Sequence, residues 1–264
     1  MARLTWIAAA ALAASTGAQA QTLRDFCPDR PGLGTPPCTM DPGHADIEIG
    51  LADWTLERSA GQRTDTIALG ETVVRVGLTE NLEAQVGWTA YGHVRERGPA
   101  GRSSDSGVGD VTVALRRNLA NPDGSGFSAA LMPYATLPTG NAVLGAGDWS
   151  AGLLVPVSYD LPHGLQFGFT GQIEAAADED RHGRHLAYGA IAGLSADLTK
   201  TASATAELSA IRDEDPSGHS TELLAGLSAG WMAKDDLQLD IGANIGLNEA
   251  APDLQIYAGV SKRF

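Results

Sequence analysis

Between Leu237 and Leu247 the odd positions (Leu237, Leu239, Ile241, Ala243, Ile245, Leu247) are all apolar, and the even positions (Gln238, Asp240, Gly242, Asn244, Gly246) are all polar or glycine. A repeat of two held over eleven residues predicts a β-strand with one apolar and one hydrophilic face. At ~3.3 Å per residue and a ~40° tilt such a strand rises ~28 Å, close to the ~25 Å apolar band of an outer-membrane barrel. After a turn at Asn248–Pro252 the pattern resumes. Leu254, Ile256, Ala258 and Val260 then oppose Asp253, Gln255, Tyr257, Gly259 and Ser261, and Phe264 closes the chain in phase with the apolar side.

The same alternation recurs upstream. Twelve strand-like segments span roughly 45–54, 66–78, 82–91, 108–117, 127–138, 149–159, 165–175, 186–197, 202–211, 221–231, 237–247 and 253–264. Helical periodicity is missing, and 32 glycines weaken any helix. The connections fall into two alternating sets. Thr79–Asn81, Asn118–Gly126, Leu161–Gly164, Leu198–Thr201 and Met232–Asp236 are mostly tight, whereas Thr55–Asp65, Tyr91–Gly107, Thr139–Asp148, Ala176–His185 and Arg212–Ser220 are longer and more charged. Short periplasmic turns alternating with longer external loops are the pattern of transmembrane barrels. An inward-facing apolar core would want more bulk than alanines and 6% aromatics supply. The expected fold is therefore all-β: a closed antiparallel transmembrane barrel of outer-membrane type with about twelve strands. Trp88, Trp149 and Tyr188 would form an external aromatic girdle, and Tyr159, Phe167, Trp231 and Phe264 a periplasmic one.

The ends agree with export. Met1-Ala2-Arg3, an apolar run from Leu4 to Ala14 and the small-residue site Ala18-Gln19-Ala20 read as a cleaved signal peptide over 1–20. A terminal aromatic on an alternating strand looks like the signal that bacterial outer-membrane barrels present to their assembly machinery, which makes that machinery, through Phe264, and outer-membrane lipid the expected partners. Arg3 is the only charge in the signal, which leaves 17 basic and 32 acidic residues, a net of −15. Nucleic acid is thereby disfavoured as a partner.

Residues 21–44 are rich in proline and glycine and lack periodicity, so they precede a barrel spanning 45–264 as a loop that hangs in the periplasm or folds up as a partial plug. Cys27 and Cys38 would meet an oxidising compartment and are expected to form a disulfide; metal binding by two cysteines alone is the weaker alternative.

Some residues break the pattern. Arg117 and Lys262 interrupt the apolar face at periplasmic strand ends, where their stems can snorkel. Trp54 has the wrong parity against Ile47, Ile49 and Leu51. Pro133 and Pro156 fall within segments that would be neighbours in a closed wall. They read either as bulges or as a weakened seam through which an apolar solute leaves sideways.

By parity Glu48, Glu71, Arg75, Glu83, Gln85, Asp110, Arg116, Glu174, Glu207, Glu222, Asp240, Asn244 and Gln255 point inward and are the candidate lumen-lining and transport residues. Arg75 and Glu83 flank a tight turn and should approach diagonally. Two readings stay open: mutual ion pairing in a narrow interior, and lining of a path. Catalytic signals are missing. No His is followed two places later by Ser, and no GxSxG occurs, so an outer-membrane lipid hydrolase is the lesser alternative and no cofactor is expected. His182 and His185 follow Asp178-Glu179-Asp180, which reads as a solvated loop or a divalent-cation site.

Several stretches carry a resemblance: DRPG at Asp29–Gly32, PGH at Pro42–His44 followed by Glu48, and RVGLTENLEAQVGW at Arg75–Trp88. GVGD at Gly107–Asp110, LPTG at Leu137–Gly140 and the last twenty-six residues add to it. In order and spacing the chain resembles an outer-membrane transporter family named for the meta-pathway of phenol degradation. The resemblance implies a twelve-stranded barrel that moves small hydrophobic or aromatic compounds. The expected function is passive outer-membrane transport of a small-molecule solute; a structural or surface-interaction barrel is the alternative.

Overall fold

The structure, a computed structural model, describes residues 23–264; the expected signal peptide lies outside the described residues. From Ala45 the chain runs through β1 (Ala45–Ser59), β2 (Gln62–Thr79), β3 (Leu82–Gly98), β4 (Gly101–Gly107), β5 (Val111–Ala120), β6 (Phe127–Leu137) and β7 (Ser150–Leu161). It continues through β8 (Leu165–Ala177), β9 (Arg184–Asp197), β10 (Ala202–Asp215), β11 (Gly218–Lys234), β12 (Leu237–Gly246) and β13 (Leu254–Arg263). Neighbours pair antiparallel and β1 closes onto β13. The thirteen strands occupy twelve wall positions, because β4 pairs with one half of β3 and β5 with the other. Ala45 and Phe264 exchange backbone hydrogen bonds of 3.2 and 2.7 Å at the end that the loop pattern predicts to be periplasmic.

The faces invert those of a soluble protein. The largest fully buried side chains are led by Arg75, Arg116, Glu48 and Glu83, whereas Ile241 is 58% exposed, Leu227 64% and Leu208 61%. Charged residues are almost never fully buried unless paired, and a continuous apolar outer surface calls for a lipid solvent. The aromatics of both expected girdles stand exposed on this outer face, but Trp88 lies opposite Thr72, five residues short of the Trp54–Ile67–His93 level along β3, and so sits within the apolar band rather than at its external rim. Arg117 is exposed, and Lys262 meets Asp236 in the adjoining turn.

The external ends differ from the sequence expectation. Residues 55–65 and 91–107, predicted as loops, are mostly strand: β1 and β2 continue to a turn at Ala60-Gly61, and β3 continues to a turn before β4. Charge on both faces hides their alternation.

A crease also crosses these strands. β1 slips one residue against β13 between Gly50 and Ala52, and in β2 Gly70 takes a φ of 69°, open to glycine without a Cβ penalty. Beyond the slip Asp53 turns inward, accepting a 2.6 Å hydrogen bond from Gln255. Trp54 turns outward, opposite the exposed Ile256 and Ile67. The anomalous parity of Trp54 is the mark of this bulge.

Pro133 and Pro156 produce no bulge at their own positions. The β6–β7 ladder holds one register from Phe127↔Tyr159 to Thr136↔Ser150 and lapses only between Ala129↔Val157 and Met132↔Leu154. Pro156 points inward and is fully buried, while Pro133 is exposed outside.

Candidate functional site

The lumen is occupied by the chain itself. Residues 23–44 enter at the periplasmic end, run along inward-facing side chains and leave by the same end, and Cys27 and Cys38 are joined by a disulfide. Without regular structure, this segment needs other partners for its backbone, and the wall supplies them. Glu48 accepts from the Asp29 and Arg30 amides (both 2.8 Å), and Glu207 from the Leu33 and Gly34 amides (2.7 and 2.9 Å). Glu83 accepts from the Met40 amide (2.7 Å). Arg75, Arg116, Asn118 and Gln238 donate to the carbonyls of Cys27, Cys38, Pro37 and Arg30 (2.8, 3.1, 2.9 and 2.7 Å). Those made by the carboxylates and guanidinium groups are charge-assisted and about twice as strong as the neutral bonds of Asn118 and Gln238.

Beneath the segment lies a buried ion cluster. Arg75 grips Glu83 through Nε and Nη2 (both 3.1 Å) and reaches Glu48 at 3.2 Å. Arg116 chelates Asp29 (2.7 and 2.8 Å) and meets Glu83 at 3.2 Å. Gln85 donates to Glu83 (2.7 Å) and Asp29 (3.3 Å), and Asp46 lies 3.7 Å from Arg75. Farther round the wall, Arg30 pairs with Asp240 at 3.0 Å, with its guanidinium 5.4 Å from the Tyr257 ring centre. It passes the Gly50↔Gly259 pair; a Cβ on Gly259 would collide with Arg30 Nε. Asn244, Gln255 and Asp53 form a chain of hydrogen bonds (2.7 and 2.6 Å).

The structure therefore brings Glu48, Arg75, Glu83, Gln85 and Arg116 into one cluster, and ties Glu207 and Asp240 separately to the segment. Glu71 stands near Arg30 beside Gly50. Glu174 lies within reach of Tyr134. Glu222 is exposed toward the external rim. Asp110 holds the loop between β6 and β7, accepting from the Gly140 and Ala146 amides (2.7 and 2.8 Å). Parity missed Asp29 and Arg30, which sit in the aperiodic segment, and Asp53, which follows the bulge. Asp46 and Arg263 share the inward parity of Glu48 and Gln255 and were readable. In the external cation candidate, both ring nitrogens of His185 already meet carboxylates, Asp178 and Asp213, each at 2.9 Å. Asp178, His185 and Asp215 offer ligand atoms within 4.8 Å of one another; His182 is not among them.

Two cavities flank the apex of the segment, and Asp29 lines both. One, of about 350 Å³, opens between the segment and β2, β3, β5 and β6, with Glu71, Thr89, Asp110 and Thr112 on its wall. The other, of about 130 Å³, lies between the prolines Pro28, Pro31, Pro36 and Pro37 and the inner faces of β7–β10. Most of its strand wall is small or hydroxylic (Ser158, Gly168, Thr170, Gly193, Ser195, Thr205), with Ile191 and Gln166 beside them, and its two carboxylates, Asp29 and Glu207, are already taken by Arg116 and by the Leu33 and Gly34 amides. Ser195 and Thr205 share a 2.8 Å hydrogen bond, and the buried Ser158 hydroxyl has no protein partner among the described residues. A Cβ built on Gly168 would meet open space.

The fold is similar to solved outer-membrane barrels. The COG4313 outer membrane channel from Pseudomonas putida F1 superposes with a TM-score of 0.71 at 17% identity, covering 89% of this chain and 99% of that one. The NanC porin gives a TM-score of 0.52 at 10% identity, covering 83% and 98%. No curated protein matches the sequence. The model of the family described as "Putative MetA-pathway of phenol degradation" matches residues 28–264, and the chain belongs to that family.

Proposed function

We propose that this protein is a passive outer-membrane channel for small molecules rather than an enzyme, and that its solutes pass beside the N-terminal segment, between the prolines and β7–β10. The observation that carries the reading is the pair of cavities meeting at Asp29, one with unfilled space at Gly168. The smaller cavity matches a single ring in size, since an engineered cavity of roughly 150 Å³ takes up benzene. Proline rings on one side and hydroxyls on the other, including the unpartnered Ser158, suit an uncharged ring compound that carries a hydroxyl group. The family description and the channels of like fold support the reading.

The test is flux into proteoliposomes of a single-ring phenol and of a small sugar, with wild type beside Gly168→Trp. Gly168 lacks a positive φ, so an indole there fills space without backbone strain. We expect wild type to pass the phenol and Gly168→Trp to cut that flux at least tenfold while folding normally. Wild-type liposomes as tight as empty ones would overturn the channel reading and favour a surface-interaction barrel. Undiminished flux in the variant would move the path elsewhere.

A further inference from the structure

Above the crease, the four neighbouring strands β1–β4 carry arginines in one row. Arg58 stands directly opposite Arg63, Arg63 opposite Arg97, and Arg97 opposite Arg102. The row below is Leu56, Asp65, Arg95 and Ser104, and the next holds Trp54, Ile67, His93 and Ser106. All of these lie on the face of Trp54, the barrel exterior. The intervening row, which points the other way, carries Glu57 and Glu96. Charge is thus sorted by face, with cations outside and acids inside. Five of the chain's 18 basic residues crowd onto this one patch of a protein whose net charge is −14.

Like charges placed directly opposite on a sheet repel. Here the repulsion is barely relieved. Asp65 is the single acid on this face, and it pairs with Arg63 at 2.6 Å. Among the described residues Arg58, Arg95, Arg97 and Arg102 have no carboxylate partner. A shallow recess of about 300 Å³ opens against Trp54, Arg63, His93, Arg95 and Arg97.

The height of the row identifies what meets it. Trp54 is an interfacial aromatic, and Arg58 lies four residues farther along the same strand. At ~3.3 Å per residue and a ~40° tilt Arg58 stands ~10 Å beyond Trp54, on the headgroup side of the apolar band, and the tilt shifts each successive arginine of the row by ~3 Å in height. Four strands at ~4.8 Å spacing make a fork ~14 Å wide. Guanidinium groups bind phosphate oxygens bidentately.

We propose that the outer face of β1–β4 is a docking site for the phosphorylated glycolipid of the outer leaflet, with Arg58, Arg63, Arg97 and Arg102 gripping its phosphates and Trp54 resting on its acyl–sugar boundary. The site is independent of the lumen and of what crosses it.

The test compares the purified full chain with a variant carrying Arg58→Gln, Arg63→Gln, Arg97→Gln and Arg102→Gln. Bisphosphorylated lipid A, its dephosphorylated form and inorganic phosphate are titrated in detergent, and bound mass is read by native mass spectrometry. Heat-modifiable gel mobility checks that the barrel is folded. Wild type should hold bisphosphorylated lipid A at least tenfold more tightly than the variant does, and at least tenfold more tightly than the dephosphorylated lipid. Equal binding by both proteins, or indifference to dephosphorylation, overturns the proposal. Displacement of the lipid by an equal concentration of inorganic phosphate also overturns it, since the site would then be one for a free ion. If the fourfold variant does not fold, Arg97→Gln with Arg102→Gln, confined to the β3–β4 hairpin, supplies the same comparison at a threefold or greater loss.

Discussion

The two halves of the inner wall do different jobs with different side chains. Along β1–β5 the inward positions hold Glu48, Arg75, Glu83, Gln85 and Arg116, long enough to reach the N-terminal segment and buried by doing so. Along β7–β10 only Thr170 and Glu207 among the described residues hydrogen-bond the segment, while Ser158, Gly168, Gly193, Ser195 and Thr205 are too short to reach across, so a cavity remains. One half fastens and the other leaves room. Clearance in a narrow barrel is thus a matter of side-chain length at inward positions, with the backbone much the same on both sides.

That contrast can be broken from the fastening side. Arg75→Leu takes the shared cation away from Glu48 and Asp46 and leaves Glu83 with Arg116 alone. Removing one partner of a buried pair typically costs about 3–5 kcal/mol. The expected outcome is a marked fall in the unfolding temperature, read by gel mobility, before any change in conductance; an unchanged melting point with altered flux would instead make Arg75 a path residue. Replacing Cys27 and Cys38 with serine should cost the segment about 3 kcal/mol by loop entropy, with the barrel still closed. Limited proteolysis should then cut within residues 23–44 of the variant and spare the wild type. Glu207→Gln is the mildest change, at about 1–2 kcal/mol, because it weakens two amide bonds while Thr170 on β8 still holds Thr35. Flux should rise modestly while the melting point barely moves. If all three variants acted alike on flux and stability, the division between the halves would be wrong.

Much of the wall was legible because lipid and lumen impose opposite demands on alternate residues. Leu239, Ile241 and Ile245 against Gln238, Asp240 and Asn244 leave one solution, and the structure adopts it. Legibility failed where that demand lapses. Beyond the bilayer Glu57 and Arg58, or Glu96 and Arg97, are equally soluble on either face, so strands read as loops and the arginine row stayed hidden. It failed again at the bulge after Gly50, where one extra residue exchanges the faces. The internal segment was the hardest, since Asp29 and Arg30 lie in a run of prolines and glycines whose contacts are almost all with distant strands. The Arg75–Glu83 pairing was readable because the two share parity and flank a short turn. The Arg116–Asp29 pair was not.

Arg24 and Asp41 meet at the periplasmic mouth (Arg24 amide to Asp41 carboxylate, 3.1 Å), so the segment between them is a hairpin whose two legs emerge side by side. Nothing has to be threaded for it to go in or come out. The cylinder can therefore be sealed first and corked afterwards, and whatever draws on the cork must do so from the end at which Arg24 and Asp41 lie.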